Sequence, residues 1–122
     1  MDHSKEFLEL VTDAKSRVTE VTVDDVLQRQ QRGERFRLID VREDDEWRAG
    51  HADGAEHLGR GILERDIVGR VPDKDEELIL YCGGGFRSAL AADNLLRMGY
   101  RRVRSLAGGW KEWNDRKMPT AK

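Results

Sequence analysis

Apolar residues recur at helical spacing near the start of the chain. Phe7, Leu8, Leu10, Val11, Ala14 and Val18 fall on one stripe, which predicts an amphipathic helix over 4–17. A short β-branched run at Val21–Val23 follows, read as a strand. Thr22 with Asp25 three positions on resembles a capping box, opening a helix that runs to about Gln31 and stops at Gly33. FRLIDV (36–41) and ELILYC (77–82) are compact apolar runs, each expected as a buried strand. Between them the pattern predicts a short helix over 43–50, a brief strand and turn over 55–61, and a helix in ILERDIVGR. Pro72 and Asp73 mark the next loop. SALAADNLLRMG (88–99) carries a continuous apolar face and ends on Gly99. RVRSL (102–106) reads as the last strand, and GGWKEW opens a closing helix.

Strands alternating with helices predict α/β architecture, with a mostly parallel sheet and helices on both faces. The first eighteen residues are expected as a helical extension, with 19–122 as the main domain. In an open parallel sheet the ligand site lies outside the carboxyl ends of the strands. Those ends fall at Asp40–Glu43, Leu58–Gly61, Cys82–Arg87 and Leu106–Gly109. Three of the four contain glycine.

Composition narrows the function classes. In 122 residues, 38% hydrophobic and 38% charged side chains describe a chain with a heavily solvated surface. Twenty-two basic against 24 acidic residues give a net charge of −2, which argues against nucleic acid or an anionic membrane as partner. No apolar run reaches the roughly 20 residues that span a bilayer, and MDHSKEFLEL lacks the apolar core of a signal peptide. A single cysteine excludes an internal disulfide and a multi-cysteine metal site, and is expected in a reducing, cytoplasmic setting.

That cysteine lies in YCGGGFRSALAA (81–92), between a predicted strand and a predicted helix. A short glycine loop there can turn its backbone N–H groups inward as an anion nest. The helix adds its positive N-terminal end. A thiol at the focus is expected to be an activated nucleophile, Cys82, cradled by the amides of Gly83, Gly84, Gly85, Phe86, Arg87 and Ser88. Arg87 brings a fork suited to oxyanions, and Ser88 is placed to cap the helix or bind the anion. A Cys–His hydrolase would need a histidine base. His3, His51 and His57 lie in a tail, a turn and a short strand, where packing or solvation is the expected role. A phosphatase loop separates its cysteine and arginine by five residues, whereas four stand between Cys82 and Arg87. The tighter ring suits one added sulfur atom better than a tetrahedral phosphate.

Cys82-Gly-Gly-Gly-Phe-Arg87-Ser88 resembles the active-site loop of the single-domain rhodanese-like sulfurtransferases. LIDVREDDEWRAGHADGAEHL (38–58) is similar to that family's upstream pattern, and SLAGGWKEW (105–113) to its closing segment. The resemblance covers about residues 19 to 119 and leaves the first helix outside the usual core. It implies a five-stranded parallel sheet flanked by helices and a persulfide-forming cysteine. The implied reaction moves sulfane sulfur from a donor such as thiosulfate to a thiol or cyanide, without metal or organic cofactor. The acceptor would be a small thiol or a thioredoxin-like protein. The alternative is a sulfur-carrier module specific for one protein partner. Arg60, at another strand end, is expected to help Arg87 receive an anionic donor, while Asp40 and Arg42 are expected to anchor loops by ion pairing. The first helix is expected to stand clear of every strand end, and so to be dispensable for the chemistry.

Overall fold

The structure, a computed structural model, describes residues 3–122. Ser4 caps helix α1 (Lys5–Lys15) by accepting the Phe7 amide at 3.1 Å. Strand β1 (Thr19–Val21) and helix α2 (Val23–Gln31) follow. The strand was expected two residues later, over Val21–Val23. Capping outweighs β-branching here: the Thr22 hydroxyl accepts the Asp25 amide and the Asp25 carboxylate accepts the Thr22 amide, so Val23 is already helical.

The remaining elements are β2 (Arg37–Asp40), α3 (Asp44–Ala49), β3 (His51–Ala52), β4 (Glu56–His57), α4 (Leu63–Arg70), β5 (Leu78–Tyr81), α5 (Phe86–Arg97), β6 (Val103–Leu106), α6 (Gly109–Asp115) and β7 (Thr120–Ala121). β6 is therefore not the last strand. β7 pairs antiparallel with β3, and the Pro119 carbonyl just before β7 accepts the Asp53 amide at 2.9 Å and the Trp113 indole N–H at 2.8 Å. Two-residue strands carry no period-2 signal, which is why the pattern missed this ribbon.

Five strands form one parallel sheet in the order β1-β6-β5-β2-β4, with helices on both faces. The period of β5 shows how the faces divide. Leu78, Leu80 and Cys82 join the core beneath α4 and α5, while Ile79 and Tyr81 join Val23, Val26 and Trp113 of α2 and α6. α1 lies against α5 with Val11 and Ala14 buried. Its end is tied down by Arg17, whose guanidinium meets the Asp93 carboxylate of α5 at 2.9 and 2.8 Å.

At the opposite end of the sheet from the cysteine loop, Glu77 is buried among arginines. Arg29 grips both its oxygens, and Arg102 and Arg104 stand at 3.1 and 3.5 Å. Arg97 and Arg101 likewise face Asp93 and Asp75. The arginine-rich stretch at 97–104 is thus engaged by carboxylates. Among the described residues no helix is long and apolar enough to cross a membrane, and no cluster of His, Cys, Asp and Glu could hold a metal ion.

Candidate active site

β5 ends at Tyr81 and delivers Cys82, a buried residue 1% exposed, to the loop. Gly85 turns the chain with φ of 95°, a conformation that favours glycine, and serves as the N-cap of α5. The helix therefore starts at Phe86, two residues earlier than the pattern placed it. Ser88 sits in its first turn and is not the cap. That shift has a chemical result: the Ser88 amide, one of the helix's unpaired N-terminal donors, points at the sulfur. Cys82 Sγ accepts from Gly85 N–H at 3.2 Å and from Ser88 N–H at 3.3 Å. These two amides reach Sγ itself. The thiol faces Ser88 Oγ at 3.5 Å, and that hydroxyl is bonded to Ser105 Oγ of β6 at 2.8 Å.

The loop is held from outside as well. The Trp110 amide donates to the Cys82 carbonyl at 2.7 Å and the Lys111 amide to the Gly83 carbonyl at 3.0 Å. Gly109 makes this approach possible, since a Cβ there would collide with the Cys82 carbonyl oxygen. The glycines after β6 thus let one loop approach another.

Arg87 does not stand free at the rim. It donates to both oxygens of Glu46 in α3, at 3.0 and 3.2 Å, and holds that carboxyl below its ordinary value. One guanidinium nitrogen lies over Gly83, where a Cβ would meet it at 3.2 Å. Glu46 is absent from the expected site residues, although it stands in the Glu46-Trp47 pair of the upstream pattern, last of the four acidic residues in EDDE.

A pocket of about 460 Å³ opens over the loop, lined by His3, Phe7, Glu46, Cys82, Gly84, Phe86 and Arg87. His3 and Phe7 flank the start of α1, so that helix borders the site. The expectation that it stood clear of every strand end is wrong, because α1 runs along α5 and reaches its N-terminal turn. His3 packs against Phe7 and edge-on against Phe86, each with centroids 5.1 Å apart.

Arg60 belongs elsewhere. Its backbone is fixed by the Val41 carbonyl, and its side chain lines a separate groove with Arg17, Asp93 and Asn94, near Glu64. It is absent from the lining of the Cys82 pocket. Asp40 and Arg42 are buried together at the end of β2, joined at 2.7–3.0 Å, and Arg42 also donates to the Gly50 carbonyl at 2.7 Å. The Arg42 guanidinium lies over the Trp110 ring, which couples this pair to the helix that pins the cysteine loop. His51 and His57 stack on Trp47 and bond to the Trp47 and Arg42 carbonyls. Neither lines the cysteine pocket.

The sequence profile described as Rhodanese-like domain matches residues 22–116. A mitochondrial protein of Schizosaccharomyces pombe, provisionally named a thiosulfate sulfurtransferase, is 30% identical over 92 residues. That match covers 65% of this chain and 63% of the relative, so the chain spans less than two thirds of that relative's length. Among solved structures, a Rhodopseudomonas palustris protein of unknown function, described as a possible tyrosine phosphatase, superposes with a TM-score of 0.84 at 28% identity. It covers 99% of this chain and 98% of its own. The polysulfide-sulfur transferase homodimer of Wolinella succinogenes superposes with a TM-score of 0.80 at 27% identity, over 95% of this chain and 87% of its own.

Proposed function

The chain belongs to the rhodanese-like domain family, and from that premise we propose that it is a sulfurtransferase carrying sulfane sulfur on Cys82. The observation that carries this reading is the convergence of the Gly85 and Ser88 amides on Cys82 Sγ, at 3.2 and 3.3 Å. Donors so placed favour negative charge on sulfur, first on the nucleophile and then on a persulfide.

In the first step the Cys82 thiolate attacks the outer sulfur of a donor, thiosulfate or a persulfide. The donor's S–S bond breaks, its electron pair leaves with sulfite or a thiolate, and Cys82–S–S⁻ remains. An acceptor thiolate, or cyanide in an assay, attacks the terminal sulfur and the electron pair returns to Cys82. The acceptor belongs to the small thiols or the thioredoxin-like proteins, and the setting is cytoplasmic. No cofactor takes part.

Phosphate chemistry is the competing use of such a loop, and the description of the Rhodopseudomonas neighbour keeps it in view. Four residues between Cys82 and Arg87 make a small cradle, and Arg87 is already engaged by Glu46. Mass spectrometry after treatment with a sulfane donor decides the matter. The expected result is a gain of about 32 Da on Cys82, reversed by a thiol reductant, and absent in Cys82→Ser. Hydrolysis of an activated phosphate ester without any persulfide would overturn the reading.

One observation favours a second reading, the partner-specific sulfur carrier. Leu8 of α1 is 41% exposed and shares a groove with His3, which also lines the Cys82 pocket, so an apolar side chain stands beside the site where a protein acceptor would dock. Turnover with a protein thiol alone, and none with small thiols, would select it.

A further inference from the structure

We propose that His3, which precedes α1, and Phe7 of α1, together with Phe86, form a specificity wall that selects a small organic thiol with an apolar body as the sulfur acceptor. This rests on the sulfurtransferase reading above and names the substrate class of that same site.

Three observations carry it. The sulfur of Cys82 is almost wholly buried at the base of the pocket, so an acceptor must enter the pocket to reach it. A persulfide extends the reacting atom outward by only about 2 Å. The pocket, at about 460 Å³, is of a size that holds a small organic molecule. Its mouth is walled by three mutually packed rings, with Phe7 and Phe86 6.2 Å apart and His3 against both.

Charge points the same way. Glu46 and Arg87 line the pocket as an ion pair, each satisfying the other. A small hydrated dianion entering here exchanges its water for aromatic edges and an arginine already in use. An acceptor with an aliphatic or aromatic body loses unfavourable hydration against the rings, while its thiolate points inward to the amide-lined sulfur. The step balances without a further reagent. The acceptor thiolate forms a bond to the terminal sulfur, the Cys82 S–S bond breaks, and the products are the acceptor persulfide and the Cys82 thiolate.

The test compares acceptors on the persulfide-loaded full chain, using phenylmethanethiol, 2-mercaptoethanol and cyanide, each rate taken per unit of ionised acceptor. Wild type should prefer phenylmethanethiol over 2-mercaptoethanol in kcat/KM by about tenfold or more. Phe7→Ala should lower the ratio of phenylmethanethiol to cyanide by about tenfold. His3→Ala, at an exposed position with no part in the core, should lower it about threefold and carries the test alone if Phe7→Ala does not fold. Equal preference in wild type, or ratios unchanged in the variants, overturns the wall while leaving the persulfide on Cys82 intact. Failure to load any sulfur on Cys82 overturns the parent reading and the wall with it.

Discussion

Arg87 and Glu46 hold each other across the mouth of the Cys82 pocket, guanidinium to carboxylate at 3.0 and 3.2 Å. The pair joins the first turn of α5 to α3, so the positive charge nearest the nucleophile is spoken for before any donor arrives. Both side chains are about one-third exposed, which keeps the pair's own stabilising energy small.

Glu46→Gln should therefore release Arg87 toward anionic donors and lower KM for thiosulfate about three- to tenfold. Arg87→Ala should raise it by a similar factor, since the wild-type charge is only partly available. Glu46 has its pKa lowered from 4.5 by the Arg87 hydrogen bond, so the pair is complete above that value. The difference between wild type and Glu46→Gln should hold constant above pH 4.5 and shrink only as pH falls through the lowered value. Steady-state kinetics across pH measure both. Equal KM values for wild type and Glu46→Gln would show that Arg87 is not held back by Glu46.

Gly109→Ala should be the most damaging glycine substitution. Its φ is +52°, and the new methyl would lie 2.9 Å from the Gly83 carbonyl carbon and closer still to the Cys82 oxygen, both backbone atoms that cannot swing aside. A loss of about 3 kcal/mol or more is expected, with the Trp110–Cys82 and Lys111–Gly83 hydrogen bonds broken. Thermal denaturation measures it. Gly84→Ala, where nothing lies within 4 Å of the new methyl, is the control and should cost under about 1 kcal/mol.

Ser88 and Ser105 should separate by readout. Ser88→Ala removes the hydroxyl facing the sulfur, and kcat for sulfur transfer should fall about tenfold. Ser105→Ala leaves that hydroxyl in place and should change kcat less than threefold. Both positions are fully buried, so each variant strands a partner hydroxyl and should lose about 1–3 kcal/mol. A tenfold kcat loss in Ser105→Ala would mean that the two hydroxyls act on the sulfur as a chain.

Glu77 should govern acid stability. Its pKa is lowered from 4.5, first by the Arg29 hydrogen bonds and then against burial, with Arg104 and Arg102 adding to the effect. A depressed carboxyl stabilises the fold above its unfolded value and loses that contribution as pH falls through its folded value. Glu77→Gln should cost about 2–4 kcal/mol near neutral pH, because a buried carboxylate that three arginines surround is lost. The gap to wild type should close below pH 4.5. Denaturant titrations at several pH values follow it, and a gap independent of pH would show that packing sets the loss.

The alternation of helix and strand was legible because each β-strand of the central sheet is either a dense apolar run or flanked by caps and glycines. Cys82, its loop and the helix after it were legible for the same reason. Their spacing is local, and each neighbour in the chain is a neighbour in space. What the sequence did not disclose is whatever depends on contact between distant segments. Glu46 is set apart in EDDE only by the Trp that follows it, and nothing marks it as the partner of Arg87 until α3 is packed opposite α5. His3 and Phe7 read as a tail and a helix stripe, and become pocket wall only because α1 runs along α5. Arg60 failed in the opposite sense: it stands at a strand end as expected, but its side chain turns back toward α4.

The order β1-β6-β5-β2-β4 also sets how the chain must find its structure. Each parallel pairing joins segments far apart in sequence, Thr19 with Arg104 at the extreme and Ile39 with Leu80 at the centre. Loop-closure entropy must be met before any such contact contributes, which places this topology among the slower folders for its size. β1 is made before β6 and has no strand to pair with until Val103–Leu106 has followed. Until then β5 lacks its β6 neighbour, and its LILY segment, buried along its whole length in the finished sheet, is an open edge. Aggregation during synthesis should start at that segment.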